Sequence, residues 1–412
     1  MRTLSTLRRP DILKLWLSQL CSSVGNNFFD IAVAWIATQE VGAAAGLIVL
    51  AGSLPNMIFG VPGGVLADRW NRRLTMATVD GIRVSVLLVL VLVSFVGEVK
   101  LWHLALVTAI NVGLNSLFQP ALVASVRIVS ETSTELQASN ALMDITARLA
   151  GAIAPSLAGI LLATGLPRDL FALDALAFGI SAVAIYSLNR ERAWISTPKE
   201  SARLNWGSNL LTGWRLIQAH PVMRWAVGLR LVIDWVWGTF FIGIPLLVNA
   251  KFDSDPRLFG YIFAVYGVGG IISNIIIGNL TIRRRAFVMF AALIIWAIGF
   301  VVMALATTPL IALLGSFVAS FSGPMDSLMA LLYIQDDFAG ENIGKVYGLR
   351  MVIMAIGYAL GVGGAAIYYH LFDVQTGILL AAVIAAACGL FGIWRFGLSI
   401  YQPHLPIAVQ AE

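Results

Sequence analysis

Charge is scarce in this chain, and the scarcity excludes a soluble globule at once. Asp, Glu, Lys and Arg make up 12% of 412 residues against 59% hydrophobic ones, and mean hydropathy is +0.85. That composition leaves too little polar surface to coat a water-soluble fold and describes an integral membrane protein. Cysteine is almost absent as well. Cys21 and Cys388 both fall in apolar runs, as small buried side chains do, so no disulfide framework is expected. His103, His220, His370 and His404 are scattered without the clustered spacing of a metal site, and neither metal nor cofactor is expected. A glycine-rich phosphate loop and a nucleophile–base pair are both missing, which argues against an ATP-driven pump or a membrane enzyme. The first apolar run is too long for a signal peptide and lacks a small-residue cleavage pattern, so no cleavable leader is expected.

What the chain has is long apolar runs. A helix crosses the hydrocarbon in about 20 apolar residues. Cutting wherever charge, Pro or Gly interrupts gives about twelve spans. They fall near 12–40, 43–68, 74–97, 101–125, 136–165, 168–189, 222–250, 256–281, 286–306, 309–335, 343–370 and 374–399. Helical periodicity without alternating ten-residue strands argues against an outer-membrane barrel. In this layout seventeen of the 27 Lys and Arg fall on one side, while Lys100, Arg168, Lys251 and Arg257 fall on the other. Basic residues favour the cytoplasmic side of short loops, so both termini are expected in the cytoplasm of a bacterial inner-membrane protein. The basic pI of about 9.4 fits attraction to anionic inner-leaflet lipids and needs no nucleic acid.

One long connector, 190–221, divides the spans into two groups of six. It reads as a polar linker followed by a short amphipathic helix carrying Leu210, Leu211, Trp214 and Ile217, lying on the inner membrane surface. The expected organisation is an N-terminal bundle 1–189, this linker, and a C-terminal bundle 222–412. Weak internal repeats agree with it. An offset of 214 brings Gly46 onto Gly260, Gly64 onto Gly278, Leu66 onto Leu280 and Arg69 onto Arg283, with Ile282 in the place of Asp68. An offset of 206 brings Gly151 onto Gly357 and Asp144 onto Arg350. Two related six-helix bundles around a central cavity are the architecture of alternating-access carriers.

The most informative stretch is Gly64-Val65-Leu66-Ala67-Asp68-Arg69-Trp70-Asn71-Arg72-Arg73. Its glycine lets two helix ends approach, Asp68 offers a carboxylate, and Arg69, Arg72 and Arg73 offer forks for carboxylates or lipid phosphates. It reads as a cytoplasmic latch, with simple anchoring to lipid as the other reading. Arg350, near the inner end of the eleventh span, is the candidate partner of Asp68. Asp80 with Arg83 and Asp144 with Arg148 share helix faces near the inner surface, as braces of the same gate.

These residues resemble the major facilitator superfamily. Gly64, Leu66, Ala67, Asp68, Arg69, Arg72 and Arg73 match its first-loop signature, with Asn71 where glycine is usual, a residue that still permits a left-handed turn. Gly151 to Gly159, around Pro155, is similar to the superfamily's antiporter signature, with Ala154 and Ala158 at positions where glycine is commoner. Phe118 to Ala121, Asn140-Ala141 and Gly344 to Gly348 resemble the subgroup of macrolide-type drug exporters and enterobactin-type siderophore exporters. The resemblance implies an all-α fold of twelve transmembrane helices in two pseudo-symmetric six-helix bundles, and contact between the first loop and the eleventh span.

Acids near mid-span carry the remaining information, because charge in hydrocarbon is costly and faces a cavity or a partner. Asp30 follows Gln19, Ser22, Ser23, Asn26 and Asn27 and has no basic neighbour on its helix. An apolar enclosure favours the neutral form of a carboxyl group, the property a proton carrier uses. Asp30 is therefore the first candidate for proton coupling, with a hydrogen-bonded structural acid as the alternative. Asp234, one turn after Arg230, and Asp326, after Gly323-Pro324 in the tenth span, serve either proton or cargo. Arg230 either holds a cargo carboxylate or catecholate or pairs with Asp234. Asp174, close to the outer end of its span, is read as reaching water. Gln19, Asn26, Arg230, Trp235 and Phe240 are the candidate cargo-binding residues. The expected activity is proton-coupled export of a small organic molecule, drug-like or siderophore, by a monomer in contact with membrane lipid. A nutrient importer of the same fold and a non-transporting sensor are the alternatives.

Overall fold

The computed structural model describes residues 6–52, 55, 70–164, 167–189, 194, 206–338 and 340–397. The described chain is nearly all helical, and eleven of its helical stretches are long and apolar enough to cross a membrane. The first of these, Pro10–Gly52, takes in the start of the expected second span, 43–68, most of which lies outside the described residues. The chain divides into two units, Met1–Ala202 with Asp255–Ala264, and Arg203–Ser254 with Val265–Glu412.

Unit 1 contains α1 (Pro10–Val41), α2 (Arg72–Val96), α3 (Leu101–Val129), α4 (Ser133–Leu162) and α5 (Pro167–Tyr186). Their starts are set by local chemistry. Pro10 at the first turn of α1 costs no hydrogen bond, because that N–H would have no helical partner. Thr132 accepts from the Glu135 N–H at 3.1 Å, while the Glu135 carboxylate reaches back to the Glu131 N–H at 2.7 Å. Asn71 is not left-handed: at φ −66° and ψ 105° it is extended, and its side chain caps α2 by accepting from the Leu74 N–H at 3.1 Å. An N-cap needs an extended backbone, and that requirement decides its conformation. Helix α2 packs on α5 and α3, and α1 packs on α5 and α4. An apolar core of Ile12, Leu15, Met76, Phe118, Leu122 and Trp194 lies among them. Trp194 ties the linker to this unit, since its ring N–H donates to the Asn189 carbonyl and its own carbonyl accepts from the Arg72 N–H.

Unit 2 contains α6 (Trp206–Ala219), α7 (Met223–Lys251), α9 (Arg285–Ala304), α10 (Pro309–Ser320), α11 (Ser322–Asp337), α12 (Gly340–Leu371) and α13 (Val374–Phe396); α8 (Pro256–Asn279) begins in unit 1 and continues here. The expected amphipathic helix is α6. Leu216 and Ile217 are buried, Gly213 lies against the Lys345 backbone of α12, and Leu211 and Trp214 are exposed. His220 turns the chain into α7, its Nδ1 accepting from the N–H groups of Val222 and Met223 while Nε2 faces Asp337 at 2.8 Å. The tenth expected span is interrupted at Phe321, whose carbonyl is taken by the Ser273 hydroxyl at 2.9 Å. Asp373 caps α13 at the Thr376 N–H, and the Thr376 side chain and backbone hold its carboxyl below the usual carboxylate range.

Glycine sets the closest helix approach. At Gly238 of α7 an added methyl would lie 2.5 Å from the Tyr358 carbonyl and 2.8 Å from the Val362 N–H nitrogen of α12. Backbone atoms cannot step aside, so Gly238→Val is expected to destabilise unit 2 by about 1–3 kcal/mol in reversible unfolding in mixed micelles. Gly364→Ala, on the same α12 but with no atom within 4 Å of the new methyl, is expected to be neutral in that assay.

Candidate functional site

Unit 2 encloses a closed circuit of charge. Arg230 and Asp234, one turn apart on α7, form a forked pair in which Nε and Nη2 donate to the two carboxylate oxygens at 2.7 and 2.8 Å. The third arm, Nη1, donates to Oδ2 of Asp326 on α11 at 2.6 Å, and Nη2 of Arg350 on α12 donates to the same oxygen at 3.1 Å. Two guanidinium groups and two carboxylates therefore neutralise each other, and three helices share the circuit. Charges withdrawn from water are tolerated only in such pairs. Of the two readings of Arg230, pairing with Asp234 is the one its geometry matches, because its fork is already filled by carboxylates.

Arg230, Asp234 and Asp326 line one side of a cavity completed by Trp237, Tyr266, Trp296 and Ser322. Its volume of about 120 Å³ is far below the roughly 300–1,000 Å³ of drug-sized pockets. It has room for a small group and not for a whole drug-sized molecule. Two expected cargo residues lie elsewhere. Phe240 is buried in the aromatic core, stacked on Phe300 with ring centroids 3.5 Å apart. Trp235 packs edge-on to Tyr368, and its carbonyl lies against Gly361. Trp237, two residues further along α7, takes the cavity position instead.

Unit 1 encloses a second cluster. Arg83 has no exposed surface; Nη1 donates to Asp80 at 3.2 Å, Nη2 to Asn115 Oδ1 at 3.1 Å and to the Asn111 carbonyl at 3.3 Å. Its guanidinium lies over the rings of Phe178 and Phe118, 4.9 and 5.5 Å from their centroids. Asp80 also accepts from Ser181, which pairs with Ser18 of α1 at 2.8 Å. The pair expected to brace an inner gate is thus fully enclosed by α1, α3 and α5. At 1.5 Å per residue, Arg83 lies about 16 Å along α2 from its first turn. Asp174 of α5 is likewise fully buried and does not reach water through the outer end of its span. The signal for its burial was in the sequence: Asp174, Phe178 and Ser181 recur at helical spacing on one face of α5.

The other expected residues are dispersed. Asp30 is exposed on α1, Gln19 is buried with its amide donating to Ser23 at 3.0 Å, and Asn26 is partly buried. Asp144 and Arg148 form an exposed pair at 2.8 Å. Arg73 is buried at the start of α2, donating to the Tyr186 carbonyl and covering the Tyr186 ring, so it fastens α2 to the end of α5. Arg72 is partly buried beside it. Gly64, Asp68 and Arg69 lie outside the described residues. Arg350, the expected partner of Asp68, is paired within unit 2 to Asp326.

The chain is similar to known transporters along nearly its whole length. The family model described as a transmembrane secretion effector, MFS_3, matches residues 1–336. Macrolide efflux protein A of Streptococcus pyogenes is 22% identical over 90% of this chain and 92% of its own. The multidrug efflux pump Tap of Mycobacterium tuberculosis is 25% identical over 93% and 88%, and the enterobactin exporter EntS of Shigella boydii 24% identical over 94% and 90%. Among solved structures, a POT family transporter aligns with a TM-score of 0.73 at 12% identity, covering 94% of this chain and 96% of that one. At that identity the match shows the fold alone, and the fold is that of the major facilitator superfamily.

The two arginines of unit 2 have unequal duties. Arg230→Gln strips the buried Asp234 of its partner and leaves Asp326 with Arg350 alone, and is expected to cost about 3–5 kcal/mol in reversible unfolding in mixed micelles. Arg350→Gln leaves Asp326 paired to Arg230 and is expected to cost about 1.5–3 kcal/mol. Equal losses would show that the circuit does not divide its charge in this way.

Proposed function

Since the chain belongs to the major facilitator family of transmembrane secretion effectors, we propose that it exports a small organic molecule across the bacterial inner membrane in exchange for protons. Both termini face the cytoplasm and a monomer performs the cycle. The observation that carries the proton reading is the charge balance of unit 1. Asp80 and Asp174 are both buried with one arginine, Arg83, near them, and Asp30 adds an exposed acid on α1, so the unit holds more acid than Arg83 can neutralise by pairing. A surplus carboxylate in a low-dielectric bundle is stabilised by taking up a proton, and a proton bound in one conformation and released in the other couples the gradient to transport. Asp30 is the exposed member of the set and is assigned the exchange of protons. Asp234 and Asp326 are neutralised by arginine, so their part is to hold α7, α11 and α12 together while protons are handled in unit 1.

The direction of transport follows the names of the relatives, which are efflux proteins and exporters. Drug-like compounds and siderophores are the cargo classes. The small volume and filled charges of the unit 2 cavity favour contact with part of a cargo molecule through Trp237, Tyr266 and Trp296, with no free arginine to select an anion.

In everted vesicles energised by respiration, the wild type is expected to accumulate radiolabelled erythromycin, and nigericin to abolish the accumulation. Asp30→Asn is expected to lower the initial rate at least tenfold with normal membrane expression. Accumulation that survives nigericin and Asp30→Asn would refute proton coupling. Uptake by intact cells that the gradient accelerates would identify an importer.

A further inference from the structure

Asp174 is a carboxyl group in an unusual position. Its side chain has no exposed surface, and neither carboxylate oxygen has a hydrogen-bond partner. Leaving an ionised carboxylate in that condition costs far more than leaving the neutral acid there. The surroundings are shaped to admit it. Gly25 of α1 stands where a methyl group would overlap Asp174 Oδ1. On the same face of α5, Phe178 covers Arg83 and Ser181 donates to Asp80.

The charged and titratable groups around it are few. Helix α1 brings Asp30 and, beside Asp80, Cys21; α2 brings Asp80 and Arg83; α4 contributes no interacting charge. Arg83 attracts Asp174 and Asp30 repels it. Arg83 is committed to Asp80 and Asn115 in this state, yet its Nε is buried without a partner, so one donor remains for a second acid.

We propose that Asp174 is a proton-binding site of the transport cycle, protonated in the conformation described here, with Arg83 as the counter-charge it shares with Asp80. This deepens the proton-coupled export reading and rests on it. On deprotonation the proton passes to water, and the carboxylate left behind draws on Arg83. The second acid therefore changes how α5 is tied to α2 as it titrates, which a surface carboxylate cannot do.

The test is infrared titration of the full-length protein in lipid bilayers, in H2O and D2O. The expected result is a C=O stretch of a protonated carboxylic acid at neutral pH that shifts in D2O, is lost in Asp174→Asn and persists in Asp30→Asn. Asp174→Glu, which keeps the acid, is expected to move the band without removing it, and serves alone if Asp174→Asn does not fold. A spectrum in which no carboxylic acid band responds to either Asp174 variant overturns the proposal. So does a band that fails to exchange in D2O, because a sealed acid carries no protons. The export reading fails separately, when the wild type shows no gradient-driven transport although this band is present.

Discussion

A guanidinium inside a helical bundle has to find its anion among the side chains of that bundle, and this requirement organises both units. Arg83 pairs with Asp80 on its own helix and with the polar groups of α3, and Arg230 with Asp234 on its own helix and Asp326 on α11, so the neighbouring helices are held where these groups can reach. Neither pairing is a strong source of stability, because removing two charges from water costs about what their attraction returns. Its effect is on specificity: α2 fits α3 and α5 in the register that satisfies Arg83, and α7 fits α11 and α12 in the register that satisfies Arg230 and Asp326. Glycines make the fit possible: Gly238 lets its backbone meet that of α12, and Gly25 leaves room for the Asp174 carboxyl.

The two units solve the same problem with different arithmetic. In unit 2, two arginines meet two acids, and the circuit is neutral with every member engaged. In unit 1, two buried acids, Asp80 and Asp174, lie near one arginine, Arg83, which pairs with Asp80, and a third acid, Asp30, is exposed on α1. A balanced circuit resists change over a wide pH range. An unbalanced one has a carboxylate that is more stable with a proton bound.

Much of the fold was legible because hydropathy, capping and loop charge all point the same way in a membrane chain. The spans among the described residues and the helix Trp206–Ala219 are visible as runs, and the Arg230–Asp234 and Asp144–Arg148 pairs as i,i+4 spacings. What could not be read were contacts between helices far apart in sequence. Asp326 lies 96 positions from Arg230, and no local pattern announces that it completes that arginine's fork. Phe240 and Trp237 differ by less than one helical turn, and which of them faces the cavity depends on the rotation of α7 against α9. Asp174 looked like a residue near a helix end because depth was judged along the chain, whereas its burial comes from α1 and α2 packing across it. The extended Asn71 shows a local rule winning over a family pattern, since capping α2 required that backbone.

Counting protons directly gives the most immediate test of the coupled exchange. With the protein reconstituted in liposomes whose lumen contains a pH-sensitive dye, an imposed gradient of erythromycin should drive protons in the opposite direction, seen as a change in lumenal pH that protein-free liposomes do not show. Erythromycin that moves through the protein while lumenal pH stays constant would contradict the account.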